Sequence, residues 1–234
     1  MESIASALHP IQAIVWGERA ITALGVRIIC DHSIFVVADT DLKDAIERLR
    51  SAGFRDCRWS YGTRNPARYE GAIRKRIYRQ LIRDYNNMDQ HSARFLFPPG
   101  PQLGQVDQDM AKVVLLPSSY AHIQTSDSSL MRDGNLLWPS AALLVRSFVQ
   151  TLVREPVAGM WTSSLDMWTI SYVYGQIDLD VPDDVLDSCD DEEAKAWFNR
   201  TILRFGGGMD RITCTKRLGR VGYDESLARQ RTAA

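Results

Sequence analysis

An α+β fold is the class this sequence predicts, and three observations predict it. Apolar, β-branched runs of strand length alternate with helix-spaced segments as far as Pro117. Beyond Pro117 the apolar spacing is that of helices. The chain of 234 residues, 45% hydrophobic and with six tryptophans, also carries enough apolar material for one sizeable core. The expected architecture is a single domain over residues 1–225. Within it, 1–117 form a mixed sheet with helices packed on it, 118–225 form a mainly helical part, and 226–234 are a flexible tail.

Taken in order, residues 2–8 read as a short helix stopped by Pro10. Residues 11–16 are apolar with β-branched members and end at Gly17, as a buried strand does when it enters a turn. Residues 18–24 give one or two helical turns closed by Gly25. Residues 26–38 are strand-like, with Ile28, Ile29, Ile34, Phe35, Val36 and Val37 interrupted by Asp31-His32-Ser33. Asp39 or Thr40 is placed to cap a helix over 41–52, whose Leu42, Ala45, Ile46 and Leu49 form a core-facing stripe ended by Gly53. A strand over 54–61 and a loop over 62–66 follow. Across 69–86, Ile73, Ile77, Leu81 and Tyr85 repeat at helical spacing, with Tyr78 and Ile82 beside them. Short strands at 95–97 and 112–116 flank a Pro/Gly-rich loop at 98–104. Pro139 opens a helix to about Arg154 with Leu143, Leu144, Phe148 and Leu152 on its apolar face. Segments 164–176 and 192–205 read as further helices, the last broken by Gly206-Gly207-Gly208.

Composition excludes several classes. The longest apolar runs, such as 34–38 and 141–145, fall far short of the ~20 residues a bilayer-spanning helix needs, so no membrane partner is expected. Residues 1–10 carry Glu2 and no basic stretch, unlike a secretory signal, which points to the cytoplasm. Cys30, Cys57, Cys189 and Cys214 are scattered, and His9, His32, His91 and His122 stand at no zinc-ligand spacing. The net charge of −1 hides two blocks. Residues 64–94 are basic, with Arg64, Arg68, Arg74, Lys75, Arg76, Arg79, Arg83 and Arg94, whereas 178–193 hold nine acidic residues and no basic one.

One constellation carries chemistry. Val15-Trp16-Gly17-Glu18 closes the first strand, and Asp31-His32-Ser33 enters the second at Ile34-Phe35-Val36-Val37. This arrangement resembles the opening of the nucleotidyltransferase fold superfamily, in which a Gly-Ser or Gly-Gly turn precedes a short helix and a pair of carboxylates enters the next strand. The longer run through Trp16-Gly17-Glu18, Ala20-Ile21, Gly25-Val26, Asp31 and residues 36–39 is similar to a group of nucleotidyltransferase-like proteins common in fungal genomes. That likeness continues at Leu115-Leu116-Pro117-Ser118-Ser119-Tyr120 and after Trp138-Pro139. The resemblance implies a nucleotide or small-molecule ligand, with Gly17 and Ser33 at the phosphates. It also implies Glu18 and Asp31 as magnesium ligands for nucleotidyl transfer, and a place in specialised metabolism. Two positions depart from the pattern: Glu18 stands where a serine holds phosphate, and the partner position of Asp31 is the neutral Ser33. Magnesium, which takes negatively charged oxygen ligands, is therefore expected to bind weakly unless Glu18 joins Asp31, and Ser33→Asp is expected to strengthen it. Asp107 or Asp109 is placed to supply a third carboxylate ahead of 112–116. Without the resemblance, Glu18 and Asp31 read as a helix-start residue and a strand-end residue making hydrogen bonds.

Two rival readings come from the charge blocks. Arg68, Lys75, Arg79 and Arg83, projecting away from the 73–77–81–85 stripe, suit an RNA or tRNA backbone, or else simply face solvent. The acidic block suits a catalytically inactive module that docks on a basic protein. The remaining signals are structural. His32 between Asp31 and Ser33 makes no catalytic triad, since strand neighbours point to opposite faces. The triple glycine lacks the lysine of a phosphate loop, and Trp161, Trp168 and Trp197 read as core anchors.

Overall fold

The structure is a computed structural model, and it describes residues 1–98, 112–174, 185–186, 189–203, 208–209 and 216–217. The fold is α+β, built on a mixed sheet of seven strands. The first helix, α1 (Glu2–Leu8), buries Ile4 and Leu8 and leads into β1 (Ala13–Trp16), a strand in which every residue is buried. Gly17, at φ +66°, turns the chain into α2 (Glu18–Ala23), and β2 (His32–Val37) returns antiparallel to β1. The strand expected over 26–38 is thus only its second half. Residues 26–31 are outside any strand and Ile29 is 83% exposed, so β-branched composition there is not matched by burial.

Helix α3 (Leu42–Ser51) packs against α1 and the sheet with Ala45 and Leu49 buried. Its N-cap position is Asp41, which makes no side-chain cap bond. The carboxylate of Asp39, one of the two expected caps, instead accepts the Ser119 N–H at 3.0 Å. The expected strand over 54–61 contracts to β3 (Arg55–Asp56), a short edge paired with β4 (Ala93–Leu96). Between them lie α4 (Ala72–Asp84) and α5 (Asn86–His91). The interior strand β5 (Lys112–Pro117) is buried throughout, parallel to β2 and antiparallel to β4.

After the short α6 (Ser118–Ala121) comes a hairpin absent from the sequence reading, β6 (Met131–Asp133) and β7 (Leu136–Trp138). β7 lies parallel to β1, so the sheet order is β3-β4-β5-β2-β1-β7-β6. The part after Pro117 therefore contributes two strands as well as helices. Helix α7 (Ala141–Arg154) starts as expected, with the Ser140 hydroxyl accepting the Leu143 N–H. Helix α8 (Met160–Met167) continues directly into a π-helical segment, Trp168–Tyr174, and α9 (Glu192–Thr201) is capped by Asp191. Two short strands, β8 (Gly208–Met209) and β9 (Lys216–Arg217), pair as a separate ribbon. Asp107, Asp109, Cys214, Gly206-Gly207, residues 175–184 of the acidic block and its flank, the loop beyond Pro98 and the tail lie outside the described residues. No helix among the described residues is long and apolar enough to cross a membrane.

Strand pleating decides what the sheet offers to each side. Residues two apart share a face, so His32, Ile34 and Val36 lie together, beside Lys112, Val114 and Leu116 across β5 and opposite Trp16 and Ile14 on β1. Trp16 on this face is fully buried, and Phe148, Trp161 and Trp168 close on it with ring centroids 5.0, 6.1 and 6.0 Å away. The helices after residue 140 thus share one hydrophobic cluster with the first strands. The polar tips of this cluster are satisfied. The Trp16 Nε1–H donates to Ser147 Oγ at 2.8 Å, and the Trp161 Nε1–H donates to Tyr120 Oη at 2.8 Å. Tyr120 in turn donates to Glu155 at 2.5 Å.

Candidate functional site

The residues singled out in sequence do converge, at the end of the sheet where β1 leaves and β2 enters. Glu18 is the first residue of α2, and its Oε2 accepts the N–H of Asp31 at 3.1 Å and of His32 at 3.4 Å. One carboxylate oxygen thereby latches the start of α2 to the start of β2. Asp31 is exposed, immediately ahead of the strand. Burial is the main reason the Glu18 carboxyl rises from 4.5 to about 7. The His32 N–H resists this, the Asp31 charge adds to it, and the Asp31 N–H and Arg19 guanidinium resist it again.

Gly17 and Ser33 sit in the same corner, but both are already engaged. A Cβ at Gly17 would lie 2.9 Å from Ile34 Cδ1 and 3.2 Å from Trp168 Cη2, and φ is +66°. Glycine is required there by packing and backbone conformation, with the start of the π-helical segment lying over it. Ser33 is 2% exposed, and its hydroxyl accepts the Arg19 Nε–H at 2.7 Å. A carboxylate introduced at Ser33 would meet Arg19, so the gain in magnesium affinity expected for Ser33→Asp gives way to a buried ion pair.

On the adjoining face lies a second group that sequence reasoning passed over. Lys112 is fully buried, and its ammonium donates to the carbonyls of Ser60 at 2.8 Å, Tyr61 at 2.7 Å and Thr63. Burial lowers its pKa from 10.5 to about 8, which leaves it charged at neutral pH. Across the β2–β5 register stands His32, whose ring packs edge-on to Tyr61 at 4.7 Å. Burial, with the Lys112 charge beside it, lowers His32 from 6.5 to about 3, so the imidazole is neutral. Its Nδ1 has no hydrogen-bond partner among the described residues, nor have Trp59 Nε1 and Ser60 Oγ on the segment that Lys112 holds. Gly62 on the same segment admits the Tyr85 ring: a Cβ there would lie 2.2 Å from it. Nothing local in the sequence signals this group, because strand register and contacts about fifty positions apart assemble it.

For magnesium the donor set is short. Glu18 and Asp31 are oxygen donors of the right type, but Glu18 is drawn toward its neutral form and one of its oxygens is committed to backbone. Among the described residues no three His, Cys, Asp or Glu side chains gather as a metal group. Among the described residues, Glu18 and Asp31 alone do not fit a strongly held magnesium ion, and Asp107 and Asp109 lie outside those residues.

The basic helix α4 differs from its expected packing. Arg74, Lys75, Arg76, Arg79 and Arg83 are exposed, but so are Ile73 at 77% and Ile77 at 50%. The end of the helix is anchored through Asp84 and Tyr85, with Leu81 packed at the core edge, and its middle rests Tyr78 on the Tyr69 ring at 4.7 Å. Arg68 and the half-buried Tyr69 lie before the helix.

The paired shifts at Glu18 and His32 give a pH signature of opposite signs. A carboxyl raised from 4.5 to about 7 contributes stability that is whole below 4.5 and lost as pH rises through 7. An imidazole lowered from 6.5 to about 3 contributes stability that is whole above 6.5 and lost as pH falls toward 3. Between 4.5 and 6.5 the two oppose each other. Urea midpoints across this window should vary little in the native chain. In Glu18→Gln they should fall steadily with acid, and in His32→Phe they should fall as pH rises. A Glu18→Gln profile that parallels the native one would mean that Glu18 does not titrate as its burial requires.

No protein-family profile, no curated protein and no solved structure matches this chain.

Proposed function

We propose that this chain is a diverged nucleotidyltransferase-fold protein. It binds a nucleotide, or a related phosphate-bearing small molecule, at the Glu18–Asp31 end of its sheet. The observation that carries this reading is the latch. The β1–turn–α2–β2 unit brings Glu18, Asp31 and Arg19 to one corner, beside the parallel strand β5. Arg19 spends its Nε–H on Ser33, which fixes the guanidinium and leaves its terminal N–H groups to meet phosphate oxygens. Arg19 replaces the phosphate-binding hydroxyl that the turn lacks. Asp31 remains outside, exposed, to orient a sugar hydroxyl or base edge. Nucleotidyl transfer would need a metal held more firmly than Glu18 and Asp31 hold one, so binding rather than turnover is the activity that these residues support.

Calorimetric titration with ATP, CTP, GTP and UTP tests the reading. At least one should bind saturably, and Arg19→Gln should weaken it about tenfold, the worth of one charge-assisted contact. Absence of heat with all four, or affinity indifferent to Arg19→Gln, would sink it. A second reading rests on the exposed cations of α4. It displaces the first if tRNA binds instead, with an affinity that falls steeply with salt and vanishes in the Lys75→Gln, Arg79→Gln, Arg83→Gln variant.

A further inference from the structure

A second candidate site lies on the outer side of α7. Arg146, Gln150 and Arg154 stand four residues apart, which stacks them in one row along the helix. The row is about 12 Å long at the helical rise per residue. They form one wall of a cleft of about 460 Å³, within the range of metabolite-sized sites. His122 also lines it, as does Asp191 at the start of α9.

The polar groups of this cleft are unevenly spent. Asp191 is used up: Oδ1 accepts the N–H groups of Glu193 and Ala194, and Oδ2 meets Arg154 at 2.8 Å. Arg154, half exposed, also approaches Glu193 at 3.8 Å. Arg146 gives one Nη2 contact to Asp127 at 3.3 Å, which leaves its other donors available. Gln150, half-buried, has no hydrogen-bond partner among the described residues, nor has the His122 side chain. His122 sits at φ 51°, ψ 40°, a left-handed conformation uncommon for a residue with a side chain. Asp190, at the mouth, is exposed. The unspent groups of the cleft are the remaining Arg146 donors, the Gln150 amide and the His122 imidazole, beside the Asp190 carboxylate, while Arg154 is shared between Asp191 and Glu193.

We propose that this cleft binds a small anionic metabolite whose phosphate or carboxylate oxygens are read by Arg146, Gln150 and Arg154 in a row, with the imidazole of His122 as a further lining contact. A molecule with two anionic groups fits better than one with a single group, because the two guanidinium groups are separated by two helical turns with an amide between them. This site is independent of the Glu18–Asp31 corner: it shares no residue with it.

Titration calorimetry at low salt with pyrophosphate and with citrate tests the proposal. At least one should bind saturably with a millimolar or tighter Kd. Arg146→Gln and Arg154→Gln should each weaken it about tenfold, and Gln150→Leu about threefold. The Arg146–Asp127 pair is partly exposed, so its loss should leave folding intact, whereas Arg154 pairs with the buried Asp191 and its loss should cost some stability. Gln150 makes no internal bond to lose, and its variant carries the test should either arginine change impair folding. Preference for pyrophosphate assigns the site to phosphate ligands, and preference for citrate assigns it to carboxylates. No saturable binding of either probe overturns the proposal. So does binding that survives both arginine changes, which would belong to Arg19 instead.

Discussion

Replacing Lys112 by methionine should destabilise the chain by about 3 kcal/mol or more, read as a lower urea midpoint at pH 7. Methionine keeps most of the aliphatic stem, so the change isolates the ammonium from its packing. The carbonyls of Ser60, Tyr61 and Thr63 all converge on Nζ, and no water replaces a donor at a fully buried position without opening the structure. A buried acceptor left unpaired costs about 1–3 kcal/mol, and two, the carbonyls of Tyr61 and Thr63, are left at once, while that of Ser60 keeps the Thr63 N–H and hydroxyl. The segment should also loosen. Proteolysis at 59–63 under native conditions should speed up in Lys112→Met, and the edge-on contact between His32 and Tyr61 should be lost with it. A loss under about 1 kcal/mol would mean that the freed carbonyls find solvent, and that the lysine is incidental to the fold.

That lysine shows where reading the sequence stops. Strands β1, β2 and β5 and helices α1, α3 and α7 were legible because their apolar period and their punctuation by Gly17, Gly53 and Pro139 agree with their final burial. Residues 26–31 misled, since Ile28 and Ile29 carry the composition of a strand while Ile29 faces solvent. The β6–β7 hairpin was missed for the converse reason. Met131, Arg132 and Asp133 are all exposed, so that edge has no hydrophobic alternation to detect. Helix α4 was legible as a helix but not as a protruding one, because spacing fixes which residues share a stripe and not whether anything covers it. At the candidate site, Glu18 and Asp31 were legible by spacing. The hydrogen bonds that join them run from backbone to side chain, and the engagement of Gly17 by Trp168 depends on a helix about 150 positions away. Arg19 meets Ser33, and Lys112 meets the 60–63 segment, only through the folded arrangement of distant elements. The row at 146, 150 and 154 was present in the sequence, on the polar side of a helix whose apolar side took the attention.

Trp161→Ala should have an effect of similar or greater size, about 3–5 kcal/mol, the usual cost of deleting a fully buried aromatic side chain. The indole has no exposed surface and joins elements far apart in the chain. Its ring lies 5.6 Å from Tyr61, 5.9 Å from Tyr85, 6.1 Å from Trp16 and 5.6 Å from Trp168. Removing it takes packing from the 59–63 segment, the end of α4, the first strand and the π-helical segment together. It also leaves the Tyr120 hydroxyl with one partner fewer. Trp161→Phe should cost less, because it restores most of the volume and forfeits mainly the Nε1–H bond. The manner of unfolding matters as much as its midpoint. Because sheet and later helices meet around this one ring, far-ultraviolet dichroism and tryptophan fluorescence should report a single coincident transition in both variants and in the native chain. Two separated transitions in Trp161→Ala would show that the sheet stands without its helical cover. The corner at Gly17, roofed by Trp168, would then be expected to open before the sheet melts.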